Sequence, residues 1–327
     1  LCGSEGTLAI ITDVKLNLIA KKQYKKLLVM VFDDFIKSIC AIDLMNEIGP
    51  CAIEIMDDHM MVAAQKNKFL FSVVTKTFKD IAEKIEGMIL VEIKEDDSDL
   101  VNDKINQFQA LIKKQSGFLA TAVLDADNDQ AAFLNLRKKS VGVIASTAID
   151  NRRAVPFIED AAVPIAHLRD YIIDVKQILD RYQLSYGIYG HLDVGCLHIR
   201  PCLDLSTFED NKKLDEILDE VFLVVKKYNG ALRSEHGYGM LSLYNKKVLG
   251  ENLYGIMCMI KRLFDPDNRL NPGKVAIAEE TSLPFVDFRQ FRYAKKYGEI
   301  ASQYQGKFSN TIACNGNASC LNTKDIC

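Results

Sequence analysis

Tyr189-Gly190-His191-Leu192-Asp193-Val194-Gly195-Cys196-Leu197-His198-Ile199-Arg200 is the stretch on which the reading of both fold and site turns. Taken as a β-hairpin over residues 186–202 with its turn centred between Val194 and Gly195, it sets His191 and His198 directly opposite each other. Opposed side chains share a face with Cβ atoms about 4.5–5.5 Å apart. Two imidazoles at that spacing suit one divalent ion, completed by a carboxylate from elsewhere. Ser234-Glu235-His236-Gly237 offers such a carboxylate and brings a third of the five histidines. The alternative is a pair of satisfied polar residues on a hairpin; the pairing and the neighbouring Glu-His weigh against it.

Working outward, Leu27–Phe32 is an apolar run of strand length, and Phe35–Ile48 has helical spacing that stops at Gly49-Pro50. A second apolar run, Cys51–Met56, ends at Asp57-Asp58-His59, where His59 reads as a solvated loop histidine. Residues 62–85, lysine-rich and weakly patterned, suit an inserted loop or surface helix. A strand over 89–93, an amphipathic helix over 97–114, a strand over 121–124 and a helix over 129–142 follow. Further helices are predicted over 166–182, with His167 near its start, and over 208–228. No fixed-period repeat is present. Alternation with hairpin-like connections, and no glycine-rich dinucleotide fingerprint, predicts an α+β domain: an antiparallel sheet with helices packed on it.

A chain of 327 residues, 48% hydrophobic, can bury a sizeable core in one to three domains. The net charge of −3 argues against nucleic acid as a partner, and no apolar run approaches the roughly 18 residues of a membrane span. Small molecules or proteins are the expected partners. Nine dispersed cysteines without a signal peptide point to reduced thiols and a cytoplasmic setting. Leu1 and Cys327 at the ends suggest a piece of a longer polypeptide.

Gly3-Ser4-Glu5-Gly6-Thr7-Leu8-Ala9-Ile10-Ile11-Thr12 reads as a glycine-bearing turn followed by a buried strand. It resembles the end of the flavin-binding domain in FAD-linked oxidases of the vanillyl-alcohol-oxidase superfamily, with Ala9 a departure. Four more segments resemble that family in the family's order: the helix with Arg137, Asp160-Ala161-Ala162-Val163-Pro164, the hairpin with Ser234–Gly237, and Phe264-Asp265-Pro266 to Leu270-Asn271-Pro272-Gly273-Lys274. Where the family has Gly-Asp-Gly-Asn between its histidines, this chain has Asp193-Val194-Gly195-Cys196, so metal binding carries over better than substrate contacts. As extra ligands, Asp193 and Cys196 compete with simpler readings, a turn aspartate and a buried thiol. Ile158 and Glu159 stand where dicarboxylate-specific relatives often have a lysine, and Arg152 or Arg153 is a substitute for that charge.

The resemblance implies FAD-dependent oxidation of a D-2-hydroxyacid, of the D-lactate, glycolate or D-2-hydroxyglutarate type. It gives His191, His198 and Glu235 to a divalent metal (zinc first, Mn²⁺ or Fe²⁺ otherwise), His236 to proton abstraction and Arg137 to the substrate carboxylate. Gly3, Ser4, Glu5, Gly6, Thr7 and Asn271 go to FAD. Cys314, Cys320 and Cys327 look like the start of an iron–sulfur region, although Asn317 occupies a ligand position. The implied domains are 1–21, the end of a flavin domain; 22–277, the substrate and metal domain; and 278–327, a linker and the iron–sulfur start. The implied electron acceptor is a quinone or an electron-transfer protein, with peripheral placement at the inner face of a membrane left open. Two rivals stand beside this reading: a non-catalytic binding or assembly domain with a vestigial metal site, and a zinc hydrolase, which lacks a His-Glu-x-x-His helix.

Overall fold

The computed structural model describes residues 3–147 and 152–277. Its centre is strand β1 (Tyr24–Phe32), buried on both faces from Leu27 onward, as an uninterrupted apolar run requires. Two short helices follow, α1 (Phe35–Ile39) and α2 (Ile42–Glu47), in place of one helix over 35–48. The Asp34 side chain caps α1 by accepting from Lys37 N, and the chain breaks at Cys40-Ala41. Gly49, at φ +74°, turns the chain into β2 (Ala52–Met56).

Residues 58–84 are helical rather than looped: α3 (Asp58–Gln65), α4 (Lys68–Phe78) and a 3-10 turn over Lys79–Lys84. Asp57 and Asn67 cap the two helices by accepting from Met60 N and Leu70 N. The lysines that hide this pattern lie on the outer faces, while Met60, Met61, Leu70, Phe71 and Val74 turn inward. Strand β3 (Gly87–Glu95), α5 (Ser98–Ile112), β4 (Phe118–Leu124) and α6 (Asp127–Thr147) complete the first half.

Of the segment Asp160–Pro164 only two residues pair with the sheet. After β5 (Arg153–Ala154), Asp160 adopts φ +80°, so only β6 (Ala161–Ala162) joins the sheet. Helix α7 (Ile165–Arg181) leads into the hairpin of β7 (Ile188–His191) and β8 (Cys196–Ile199). Then come β9 (Cys202–Leu203), paired with β5, α8 (Phe208–Lys227) and α9 (Asn245–Phe264), interrupted at Gly250.

The sheet is antiparallel throughout, in the order β4-β1-β3-β2-β7-β8-β6. One face carries Leu28, Met30, Ile53, Ile55 and Val91 against helices α1, α2, α5, α7 and α8. The other carries Leu27, Val29, Val31, Met56 and Leu90 against α3, α4 and α6. The expected α+β architecture is therefore present. Among the described residues no helix is long and apolar enough to cross a membrane.

The expected buried strand after the first turn is absent. Residues 9–22 are outside regular structure, and Ile10, Ile11, Val14, Leu16, Leu18 and Ile19 are exposed. Among the described residues no strand pairs with this run, and an unpaired segment has nothing to bury its apolar side chains against.

Candidate functional site

The site lies at the β2-β7-β8 end of the sheet, on the face that carries α6. The hairpin is present, but its register differs from the expected one: His191 pairs with Cys196 and Tyr189 with His198. Leu192–Val194 forms a 3-10 turn closed by Gly195 in the left-handed region at φ +69°, so the glycine ends the turn instead of sitting at its centre. A Cβ at Gly195 would lie 2.1 Å from Val163 O, which no other residue could accommodate. The offset is two residues along one strand, so Tyr189, His191, Cys196 and His198 still share one face. His191 and His198 are diagonal neighbours, their rings edge to face with centroids 5.3 Å apart.

Across the next pairing, Glu54 of β2 lies opposite His191, and its Oε1 is 3.0 Å from His191 Nδ1. On the other side, Glu235 Oε1 lies 3.1 Å from His191 Nε2 and 3.1 Å from His198 Nε2. One carboxylate oxygen thus sits between two imidazoles. His236 stacks on His198, with centroids 4.9 Å apart and planes 11° from parallel. Its Nδ1 is 3.5 Å from Glu159 Oε1 and its Nε2 3.5 Å from Glu235 Oε1.

Asp160 holds this turn in place. Its buried carboxylate accepts from the backbone N–H groups of Ser234, Glu235 and His236 and from Ser234 Oγ. Three successive amides aimed at one anion form a nest. Burial alone would raise the Asp160 pKa, but the amides of His236, Glu235 and Ser234 outweigh it and hold the carboxyl below its ordinary range. Backbone bonds between Ala162 and Ala231 dock the same loop onto β6.

Charge is arranged in opposite senses on the two hairpin histidines. Burial, helped by the positive ends of His236 and His191, pushes His198 down to about 3, so it stays neutral with a free lone pair. The hydrogen bond to Glu54 raises His191 despite partial burial. Burial also pushes the Cys196 thiol up to about 12; its Sγ lies 2.9 Å from Ser234 Oγ.

Arg137 follows Phe133 and Leu136, which anchor α6 in the core, and comes to the same place. Its Nε and Nη2 each lie 2.9 Å from Glu54 Oε2, and its guanidinium sits 5.1 Å from the centre of the Tyr189 ring. Arg200, 5.9 Å from the centre of the same ring, is paired with Glu159 at 2.8 Å. Arg152 is engaged by Asp210 and Arg153 by the Arg152 carbonyl oxygen.

The first and last motifs meet beside this turn. Gly3 and Gly6 take φ +81° and +82°, and Thr7 N donates to Ser4 O. Glu5 Oε1 accepts from the amides of Tyr238 (2.6 Å) and Gly239 (3.1 Å), while Asn271 Nδ2 donates to Glu5 Oε2 (3.2 Å) and Glu5 O (3.3 Å). Gly237 takes φ +73°, which favours glycine, and a Cβ there would lie 2.5 Å from Glu5 Oε1 and push that carboxylate away. Asp265 shapes the approach by accepting from Arg269 N, Leu270 N and Lys261 Nζ. Cys314, Cys320 and Cys327 lie outside the described residues.

Glu54, Asp160 and Glu159 are the site residues that sequence reasoning missed as such. Glu54 did leave a signal, a lone carboxylate inside the apolar strand Ala52-Ile53-Glu54-Ile55-Met56. The residue types, imidazole and carboxylate, suit a divalent cation, and Glu235 Oε1 lies between the Nε2 atoms of His191 and His198, but the close donor clusters are built on His198 and leave His191 outside. Donor atoms of Asp160, Cys196, His198 and Glu235 also lie within 4.8 Å of one another, as do those of Glu159, His198 and His236.

The chain is 31% identical over 328 residues to a D-2-hydroxyglutarate dehydrogenase of Pantoea ananatis, covering 98% of this chain and 32% of that protein. A glycolate oxidase subunit of Bacillus subtilis is 25% identical over 278 residues, covering 84% of this chain and 55% of that one. Among solved structures, 4-ethylphenol oxidase from Gulosibacter chungangensis superposes with a TM-score of 0.57 at 15% identity, over 81% of this chain and 56% of that one, a likeness of fold. The chain spans about a third of the length of the D-2-hydroxyglutarate dehydrogenases it matches. A family model described as "FAD linked oxidases, C-terminal domain" matches residues 21–275, from just before β1 to the end of the last motif, and the chain belongs to that family.

Proposed function

We propose that this chain forms the substrate-holding part of an FAD-dependent dehydrogenase that oxidises a D-2-hydroxyacid to the 2-oxoacid. The convergence at one turn carries the reading: Glu235 between His191 and His198, His236 stacked beside them, and Glu5 bound to the next two amides. Arg137, held on one edge by Glu54, offers the rest of its planar fork to the substrate carboxylate. His236, part-exposed at the mouth of the cluster, accepts the hydroxyl proton. Asp160 fixes the backbone that aims it. The turn of Gly3, Ser4, Glu5, Gly6 and Thr7, together with Asn271, would hold the flavin side against that proton acceptor.

Bound FAD supplies the hydride acceptor. His191, His198 and Glu235 would hold a divalent cation, zinc by first choice, which would supply Lewis-acid polarisation of the substrate hydroxyl. Cys314, Cys320 and Cys327 belong to the same proposal as the start of an iron–sulfur route to a quinone or protein acceptor. D-2-hydroxyglutarate is the first substrate to test, because relatives named for it match nearly the whole chain. The flavin-loaded protein should reduce an artificial acceptor with D-2-hydroxyglutarate, D-lactate or glycolate and discriminate against the L-acids. Turnover that ignores the hand of the substrate, or none across the panel, overturns the assignment.

A further inference from the structure

Glu54 touches two parts of the site with one carboxylate. Oε1 is 3.0 Å from His191 Nδ1, and Oε2 is 2.9 Å from both Nε and Nη2 of Arg137. Its backbone is fixed in the middle of β2, paired with Leu90 on one side and His191 on the other. Ile53 and Ile55 are fully buried on the opposite face, so the carboxylate cannot move there without bringing a charge into the apolar core. Directly opposed cross-strand partners have Cβ atoms about 4.5–5.5 Å apart, a span that suits a glutamate reaching the near nitrogen of an imidazole.

We propose that Glu54 is a positioning residue that sets the two ligand-holding groups together. Through Oε1 it keeps the neutral His191 ring protonated at Nδ1, with the Nε2 lone pair facing Glu235. Through Oε2 it fixes the plane of the Arg137 guanidinium and leaves the Nη1 side for a substrate carboxylate. The geometry stands by itself, while its purpose rests on the proposed metal-assisted dehydrogenase. Without Glu54 the ring keeps only its Glu235 contact at Nε2, which draws the proton to that nitrogen, and a protonated Nε2 cannot ligate. Carboxylates that orient a ligating histidine in this way typically account for 10- to 100-fold in metal affinity. Because the same carboxylate also holds Arg137, its loss weakens metal and carboxylate binding together, although it would contact neither ligand.

The full 327-residue chain, labelled with ¹⁵N-histidine, provides the first test. At a pH where His191 is neutral, nitrogen chemical shifts should place its proton on Nδ1 in the zinc-free chain, and Glu54→Ala should abolish that preference. A proton on Nε2 of the unsubstituted chain overturns the inference whether or not the metal reading holds. Zinc affinity, measured by competition with a chromophoric chelator, is the second test. Glu54→Ala should weaken it roughly 10- to 100-fold, and Glu54→Gln, which keeps an acceptor oxygen for His191, should recover most of that loss. Equal affinity in Glu54→Ala and the unsubstituted chain overturns the coupling. His198→Ala reports on the metal reading alone: if neither it nor the unsubstituted chain binds zinc, that reading fails while the proton position still decides the role of Glu54.

Discussion

At the scale of the residue, the site is a division of labour among side chains of like type. His198 is buried and neutral, His191 is held between two carboxylates, and His236 is exposed above them. Only the last can exchange a proton with substrate without disturbing the pair beneath it. His236→Asn in the flavin-loaded protein should therefore lower kcat by roughly 10²–10⁴, the usual worth of a general base, with zinc content unchanged. Stopped-flow reduction of the flavin is the measurement, and full-rate reduction in the variant removes His236 from the chemistry. Which histidines belong together was legible in the sequence, because their residue types and order repeat a known pattern. The residues that orient them were not. Glu54 is 137 positions from His191 and Asp160 is 75 from Glu235, and nothing in their own neighbourhoods shows what they face.

At the scale of the element, the N-terminus of α3 is a charged cluster separate from the site. His59, expected as a solvated loop residue, sits in the first helical turn instead. Its Nδ1 is 3.5 Å from both the fully buried Asp57 and the Asp58 carboxylate, and its ring packs on Tyr186 at 4.5 Å. Lys176 of α7 lies 3.8 Å from Asp58 and over the same tyrosine ring, whose hydroxyl donates to Asp180. The carboxylates of Asp57 and then Asp58, facing its Nδ1, push His59 up to about 10. A raised pKa stabilises the fold fully below the unfolded value of about 6.5, and that contribution is lost as pH rises toward 10. The midpoint of thermal unfolding should fall over that interval, and His59→Gln should flatten the fall. An unchanged slope in the variant removes the imidazolium from the account.

The same element shows why parts of the fold were hard to read. Helices α3 and α4 present lysines to solvent between inward methionines and phenylalanines, which blurs the helical period. The doubly buried strand β1 and the amphipathic α5, α7 and α8 carried strong periods and were found near their observed limits. The hairpin was found as an element, but its register depended on where one glycine falls in the turn. The sequence names that residue without giving its φ angle.

At the scale of the whole molecule, Glu5 ties the first residues to the last motif and to the turn that carries His236. Its carboxylate accepts two backbone amides and the Asn271 amide, so Glu5→Ala should lower stability by at least the roughly 1.5–3 kcal/mol of one hydrogen bond to a charged group. A lower urea midpoint at constant slope is the expected readout. Trypsin acting at the exposed Lys15, Lys21 and Lys22 should separate this tie from the body that begins at β1 and lower the midpoint in the same sense. A midpoint insensitive to both treatments would mean that the tie contributes nothing to the native state.

That tie also governs when the site can come into being. The partners of Glu5 lie 233, 234 and 266 positions further along, so a nascent chain on the ribosome cannot make these contacts until Tyr238 and Gly239 emerge. The central strands and their helices can condense well before then, since domains fold as their residues become available. The turn that carries His236 therefore closes over a scaffold that has already formed. A ribosome stalled just short of residue 271 would carry a chain with its sheet in place and the Glu5–Asn271 tie still open.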